Sequence, residues 1–119
     1  MPERDIKLYL NDILECIEAL ESYTGLINKE EFLKDRKTRD AVVRNLEVIG
    51  EAVKNIPDEI KRAYPQVNWK AASAMRDKLI HEYFGVSFPI VWETVRNDIP
   101  SFEAGIKEML KALGKKPGL

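Results

Sequence analysis

Apolar residues recur at three- and four-residue intervals through nearly all of this 119-residue chain, and that period constrains the fold more than anything else in it. Ile6, Tyr9, Leu10, Ile13, Ile17 and Leu20 mark one helical face over residues 5–23, with Glu15, Glu18 and Glu21 elsewhere on the wheel. Val42, Val43, Leu46, Ile49, Val53 and Ile56 mark a second face. Ile90, Val91, Trp92 and Val95 begin another, which Phe102, Ile106, Met109, Leu110 and Leu113 continue. No stretch alternates with the two-residue period of a strand. Each stripe has to be covered by another helix, so the expected fold is all-α, an antiparallel bundle of four to five helices. The length fits a single domain over residues 1–119, burying about two-thirds of its extended-chain surface.

The breaks between stripes carry their own chemistry. Thr24-Gly25 reads as a helix stop, because glycine accepts the left-handed conformation that ends helices. Asn28 with Glu31 three residues later has the pattern of a capping box. Pro57 ends the second long stripe near Ile56, and Asp58 to Ala63 can form a short helix before Tyr64-Pro65. Asn68 is a cap for a helix that begins at Trp69, carries small residues at Ala71, Ala72 and Ala74, and ends near Gly85. Gly50 could permit close contact with a neighbouring helix. Phe88-Pro89 restarts the pattern. Pro100 either kinks a continuous helix or divides two, with Asp98 as the cap of the second. Residues 114–119 lack periodicity and read as a flexible tail.

Composition narrows the class. Nineteen Lys and Arg against 20 Asp and Glu leave a net charge of -1, which argues against a general nucleic-acid coat but allows a local basic cleft. Cys16 is alone, so neither an intrachain disulfide nor a cysteine metal site is available; it reads as a small core hydrophobe. The charged start and the lack of a long apolar run imply a soluble, cytoplasmic protein with no signal peptide or membrane span. Lys34, Arg36, Lys37, Arg39 and Arg44 outnumber Asp35 and Asp40 locally. They form either a solvated face with pairs such as Asp35–Arg39 and Asp40–Arg44, or the rim of an RNA-facing groove. Asn45 lies beside an apolar stripe and needs a partner, either across the bundle or in a site.

The segment Met75 to Phe84 holds the only histidine, His81, between Arg76 and Tyr83. An imidazole can exchange a proton with a ribose hydroxyl, a guanidinium can grip a phosphate, and a tyrosine can stack on a base. Together they suffice to cleave RNA without a metal, and neither Asp77 nor Glu82 completes a recognisable metal-ligand spacing. Any one of these residues alone more often serves structure. On a straight helix Arg76 and Tyr83 share a face while His81 lies about 140 degrees round from Arg76. Convergence therefore requires a distorted helix end, inward-bending side chains or a second subunit.

The spacing Arg76, four residues, His81, one residue, Tyr83 resembles the signature of the HEPN superfamily, and the chain resembles its HepT-like branch. The likeness extends through Phe32 to Val42, Arg44-Asn45-Leu46, Ile49-Gly50-Glu51-Ala52, Tyr64-Pro65, Trp69, Met75-Arg76-Asp77, His81 to Phe84 and Ile90 to Val95. The resemblance implies a HEPN-type helical bundle that forms a homodimer, alone or within a larger hetero-oligomer. It further implies a metal-independent endoribonuclease, the toxin of a toxin–antitoxin pair whose partner is an MntA-like minimal nucleotidyltransferase. Arg76 and His81 match the family's catalytic pair, Asp77 its polar neighbour, and Tyr83 the tyrosine that the antitoxin modifies with AMP. No cofactor is implied. Two copies of the motif helix could build one composite cleft. The competing expectation is a non-catalytic helical module that binds a nucleotidyltransferase or a nucleotide.

Overall fold

The computed structural model describes residues 2–114, without the side chains of Glu3, Arg4 and Tyr83, and among the described residues every regular element is helical. The first stripe becomes α1 (Glu3–Thr24). Two short connections then lead through α2 (Lys29–Lys34) into α3 (Arg36–Asn55). The periodic residues do what their spacing requires. Leu10, Ile13, Ile17 and Leu20 of α1 are wholly buried, in one core with Val42, Val43, Leu46, Ile49 and Val53 of α3. Cys16 packs against that core, half-buried, with its thiol pushed up by burial and then by Asp12 and Glu15. No helix among the described residues is long and apolar enough to cross a membrane.

Caps set most of the boundaries. The Asn28–Glu31 capping box is formed in both directions, at 2.9 and 3.1 Å. Asp35 separates α2 from α3 by accepting from the Thr38 backbone N–H and hydroxyl, so the basic stretch is two helices rather than one. Gly25 departs from expectation. Its φ is -63°, in the right-handed region, so a left-handed glycine does not end α1. Instead the Thr24 hydroxyl donates to the Leu20 carbonyl at 2.8 Å, and the Arg96 guanidinium donates to the Thr24 and Ile27 carbonyls while lying over the Trp92 ring. A distant arginine thus satisfies carbonyls that the helix end leaves without donors.

After Pro57 comes α4 (Asp58–Ala63), and then α5 (Trp69–His81), capped by the Asn68 side chain on the Ala71 N–H at 3.1 Å. Here the sequence expectation is corrected. α5 stops at His81 rather than near Gly85; Glu82 takes φ -130° and ψ 39°, and Tyr83–Gly85 forms a separate 3-10 turn. Ser87 caps α6 (Phe88–Glu93), which passes through a π-helical segment, Thr94–Asp98, into α7 (Ile99–Gly114). The helix therefore runs unbroken past Pro100, and Asp98 lies inside it rather than capping a new one. Proline removes one i→i−4 donor and crowds the carbonyl four residues back; the widened turn, with the Ile99 N–H reaching the Thr94 carbonyl, lies just before it. Gly114 is helical, and the expected tail over 115–119 lies outside the described residues.

Candidate active site

Arg76 reaches its place because α3 and α5 meet at a glycine. A Cβ added to Gly50 would lie 2.1 Å from the Arg76 Cβ and 2.9 Å from the Ala72 carbonyl oxygen, so only a glycine allows this approach. In the notch the Arg76 side chain is 21% exposed, and its Nε is buried with no hydrogen-bond partner among the described residues. Its terminal nitrogens are taken by two carboxylates. Nη1 donates to Asp77 at 2.9 Å and Nη2 pairs with Glu51 at 3.0 Å. Asp77 also holds Lys54 of α3 at 2.6 Å, closing a chain of alternating charge, Glu51–Arg76–Asp77–Lys54. The Lys54 ammonium first, and then Arg76, keep the Asp77 carboxyl below its ordinary value. The hydrogen bond that Arg76 donates to Asp77 in turn raises the Arg76 guanidinium further above its own ordinary value.

Arg76 borders a groove of about 430 Å³ between α1, α3 and α5 that also contains Tyr9, Asp12, Arg44, Glu47, Glu51 and Ile80. Three carboxylates against two guanidiniums make this groove no basic cleft. His81 is the last residue of α5 and is exposed. Five residues of helix place it about 7.5 Å further along the axis than Arg76 and a large turn round it. Because the α-helix ends there, the register that would stack Tyr83 above Arg76 is broken; the backbone of Tyr83 opens the 3-10 turn, and its side chain lies outside the described residues. Of the three routes to convergence that the sequence left open, a distorted helix end is present, but it begins after His81 and leaves Arg76 and His81 at regular helical register.

A cation fixed on one helix face and an exposed imidazole at the same helix's end fit the motif that the sequence singled out. The profile of the family described as "Ribonuclease HepT-like" matches residues 13–109. The chain belongs to the HepT-like ribonuclease family. A Methanocaldococcus jannaschii protein named "Putative RNase" is 48% identical over 111 residues, covering 93% of this chain and 92% of the relative. A Thermococcus cleftensis protein named "Probable ribonuclease HepT" is 50% identical, covering 92% and 99%. A Caldanaerobacter subterraneus protein, also named "Putative RNase", is 50% identical, covering 87% and 92%. No solved structure gave a significant match.

Within this HepT-like chain the remaining sequence candidates fall in different places. Asn45 neither crosses the bundle nor reaches Arg76; its side chain donates to the Ala41 carbonyl of its own helix at 2.9 Å. Arg44 borders the Arg76 groove. Arg39 is tied into the fold, donating to the Leu33 carbonyl at 2.8 Å and lying 4.7 Å above the Phe88 ring, so it joins α2, α3 and α6. Asp35 caps α3, and Arg36 lies 3.7 Å from Asp40. Lys34, Arg36 and Lys37 are exposed, with Arg36 about 22 Å along α3 from Glu51 at 1.5 Å per residue. Sequence reasoning gave no role to Glu51 or Lys54. Their signal was present as charges near Gly50 on a stripe-bearing helix, but only the α3–α5 crossing makes them partners of Arg76 and Asp77.

Proposed function

We propose that this HepT-like chain is a metal-independent endoribonuclease in which Arg76 contacts the scissile phosphate and His81 moves the proton. The observation that carries the reading is an arginine seated against α3 together with an exposed histidine at the end of the same helix, α5, at the spacing of the motif that the sequence resembles. A ribose 2′-hydroxyl attacks phosphorus as its proton leaves to a base, the bond to the 5′-oxygen breaks, and that oxygen takes up a proton. The products are a cyclic phosphate and a 5′-hydroxyl. The arginine stabilises charge on the phosphoryl oxygens as the bond order changes, and an imidazole is suited to either proton step. One chain offers a single imidazole, so the reading includes a homodimer whose two motif helices share a cleft. Lys34, Arg36, Lys37 and Arg44 belong to the proposed RNA-facing rim; Arg39 supports it from within.

The same reading makes the protein a cytoplasmic toxin, one domain over residues 1–119, held in check by an MntA-like minimal nucleotidyltransferase that adds AMP to Tyr83. The added phosphate charge and bulk beside His81 would repel RNA. Purified protein free of antitoxin is expected to cleave single-stranded RNA in EDTA, with R76A and H81A reducing the rate at least 100-fold, a typical loss for a general acid–base group. Cleavage that is absent in wild type, or equal in all three proteins, overturns the enzyme assignment. A mass increase of one AMP at Tyr83 after incubation with the nucleotidyltransferase and ATP tests the modification.

One observation favours the second reading, a non-catalytic interaction module: both terminal nitrogens of Arg76 are already paired, as in an ordinary structural ion pair. Equal growth on induction of wild type and H81A without the antitoxin gene would support it.

A further inference from the structure

The two carboxylates on Arg76 are not equivalent. Asp77 is gripped twice, by Lys54 at 2.6 Å and by Arg76 at 2.9 Å, and is the adjacent residue on the same helix. Glu51 makes a single 3.0 Å contact, from the opposite helix, with 56% of its side chain exposed. The guanidinium Nε is buried in the notch at Gly50, so the edge carrying Nη1 and Nη2 is the one left to meet a ligand. An ion pair with one partner this exposed is weak, whereas phosphate can accept two parallel hydrogen bonds from one guanidinium. We infer that Glu51 is the resting counter-ion of Arg76, displaced when an RNA phosphate takes its place on Nη2. Asp77 and Lys54 stay bound during the exchange and keep the guanidinium plane in position. Glu51 thus sets the threshold that a polyanion must exceed to reach Arg76. The inference rests on the reading of Arg76 as the phosphate contact.

The test is binding rather than cleavage. A mixed-sequence RNA oligonucleotide, 2′-O-methylated throughout, cannot supply the attacking hydroxyl and so reports affinity alone. At 0.15 M salt, Glu51→Gln is expected to tighten its Kd roughly two- to five-fold, the size of one exposed ion pair. Glu47→Gln removes a charge from the same groove one helical turn from Glu51, and its effect is expected to be smaller than that of Glu51→Gln, because Glu51 pairs directly with Arg76. Arg76→Gln is expected to weaken binding, and adding Glu51→Gln to it is expected to change nothing more. Thermal melting of each variant checks the fold. If Arg76→Gln weakens binding while Glu51→Gln leaves it unchanged or weaker, the displacement idea fails and the phosphate role of Arg76 stands. A gain from Glu51→Gln that persists without Arg76, or is matched by Glu47→Gln, also overturns it. If Arg76→Gln has no effect on binding, both fall.

Discussion

Gly50 and Arg76 meet in a contact that only a glycine at position 50 allows. Replacing Gly50 by alanine would gain about 1 kcal/mol of helix propensity, but the new methyl would meet the Arg76 Cβ at 2.1 Å and the Ala72 carbonyl at 2.9 Å. The second obstacle is backbone and cannot swing aside, so α3 and α5 would have to separate. Overpacking of this kind costs about 1–3 kcal/mol. G50A is therefore expected to lower the melting temperature by several degrees and to push Arg76 out of its notch, measured by thermal denaturation and by weaker RNA binding. The glycine was legible in the sequence as a site of close helix contact. Its partner was not, because nothing in the local pattern says which residue of which helix fills the notch.

At the scale of elements, the ends and contacts of helices were read with uneven success. Asn28, Asn68 and the short helix from Asp58 were legible because caps and proline act through neighbours in sequence. The end of α1 was not, since Arg96 closes it from 72 residues away. The contact of α1 with α7 has a similar origin and a pH dependence. Burial first, and then the Glu103 carboxylate, push the Glu21 carboxyl above its ordinary value, with Lys107 of α7 opposing. A raised carboxyl favours the folded state below its unfolded pKa, and that contribution is lost as pH rises through the folded value. E21Q is accordingly expected to melt about 1–3 °C higher than wild type at pH 7, since Glu21 is largely exposed and screened. The difference should vanish below about pH 4. Equal melting at both pH values would show that the two carboxylates do not interact.

The whole molecule is about 20 Å thick along its shortest axis, room for two layers of helices at 10–12 Å each. Two layers leave helix faces at the surface, and the segment after His81 shows it. Phe84 is fully exposed, and Ile80 and Ile90 are about half-exposed. An exposed phenylalanine beside the motif suits a surface for the second subunit of the proposed homodimer, since an aromatic ring buries some 150–250 Å² at an interface. In the proposed homodimer, F84S is expected to raise the dissociation constant at least ten-fold in sedimentation equilibrium while leaving the monomer's melting unchanged. A Phe84 variant that self-associates like wild type would place the interface elsewhere. Pro100 belongs to this scale too. A proline read alone marks a break, but the core face from Val91 to Leu113 is continuous, and packing keeps the helix intact by widening one turn before it.

The sequence by itself determined that the chain is all-helical and where most helices begin, and it singled out Arg76, His81 and Tyr83 as the residues of the proposed chemistry. Periodicity, caps and motif spacing are local, and each is readable within a dozen residues. Only the tertiary structure decided that Arg76 lies against Gly50, paired to Glu51 and Asp77 with Lys54 behind them. It also decided that α5 stops at His81, that Arg39 and Arg96 serve the fold, and that Asn45 bonds within its own helix. These depend on which helix faces meet and at what register. That is set by close packing across the whole core, where a side chain's partner can be tens of residues distant along the chain.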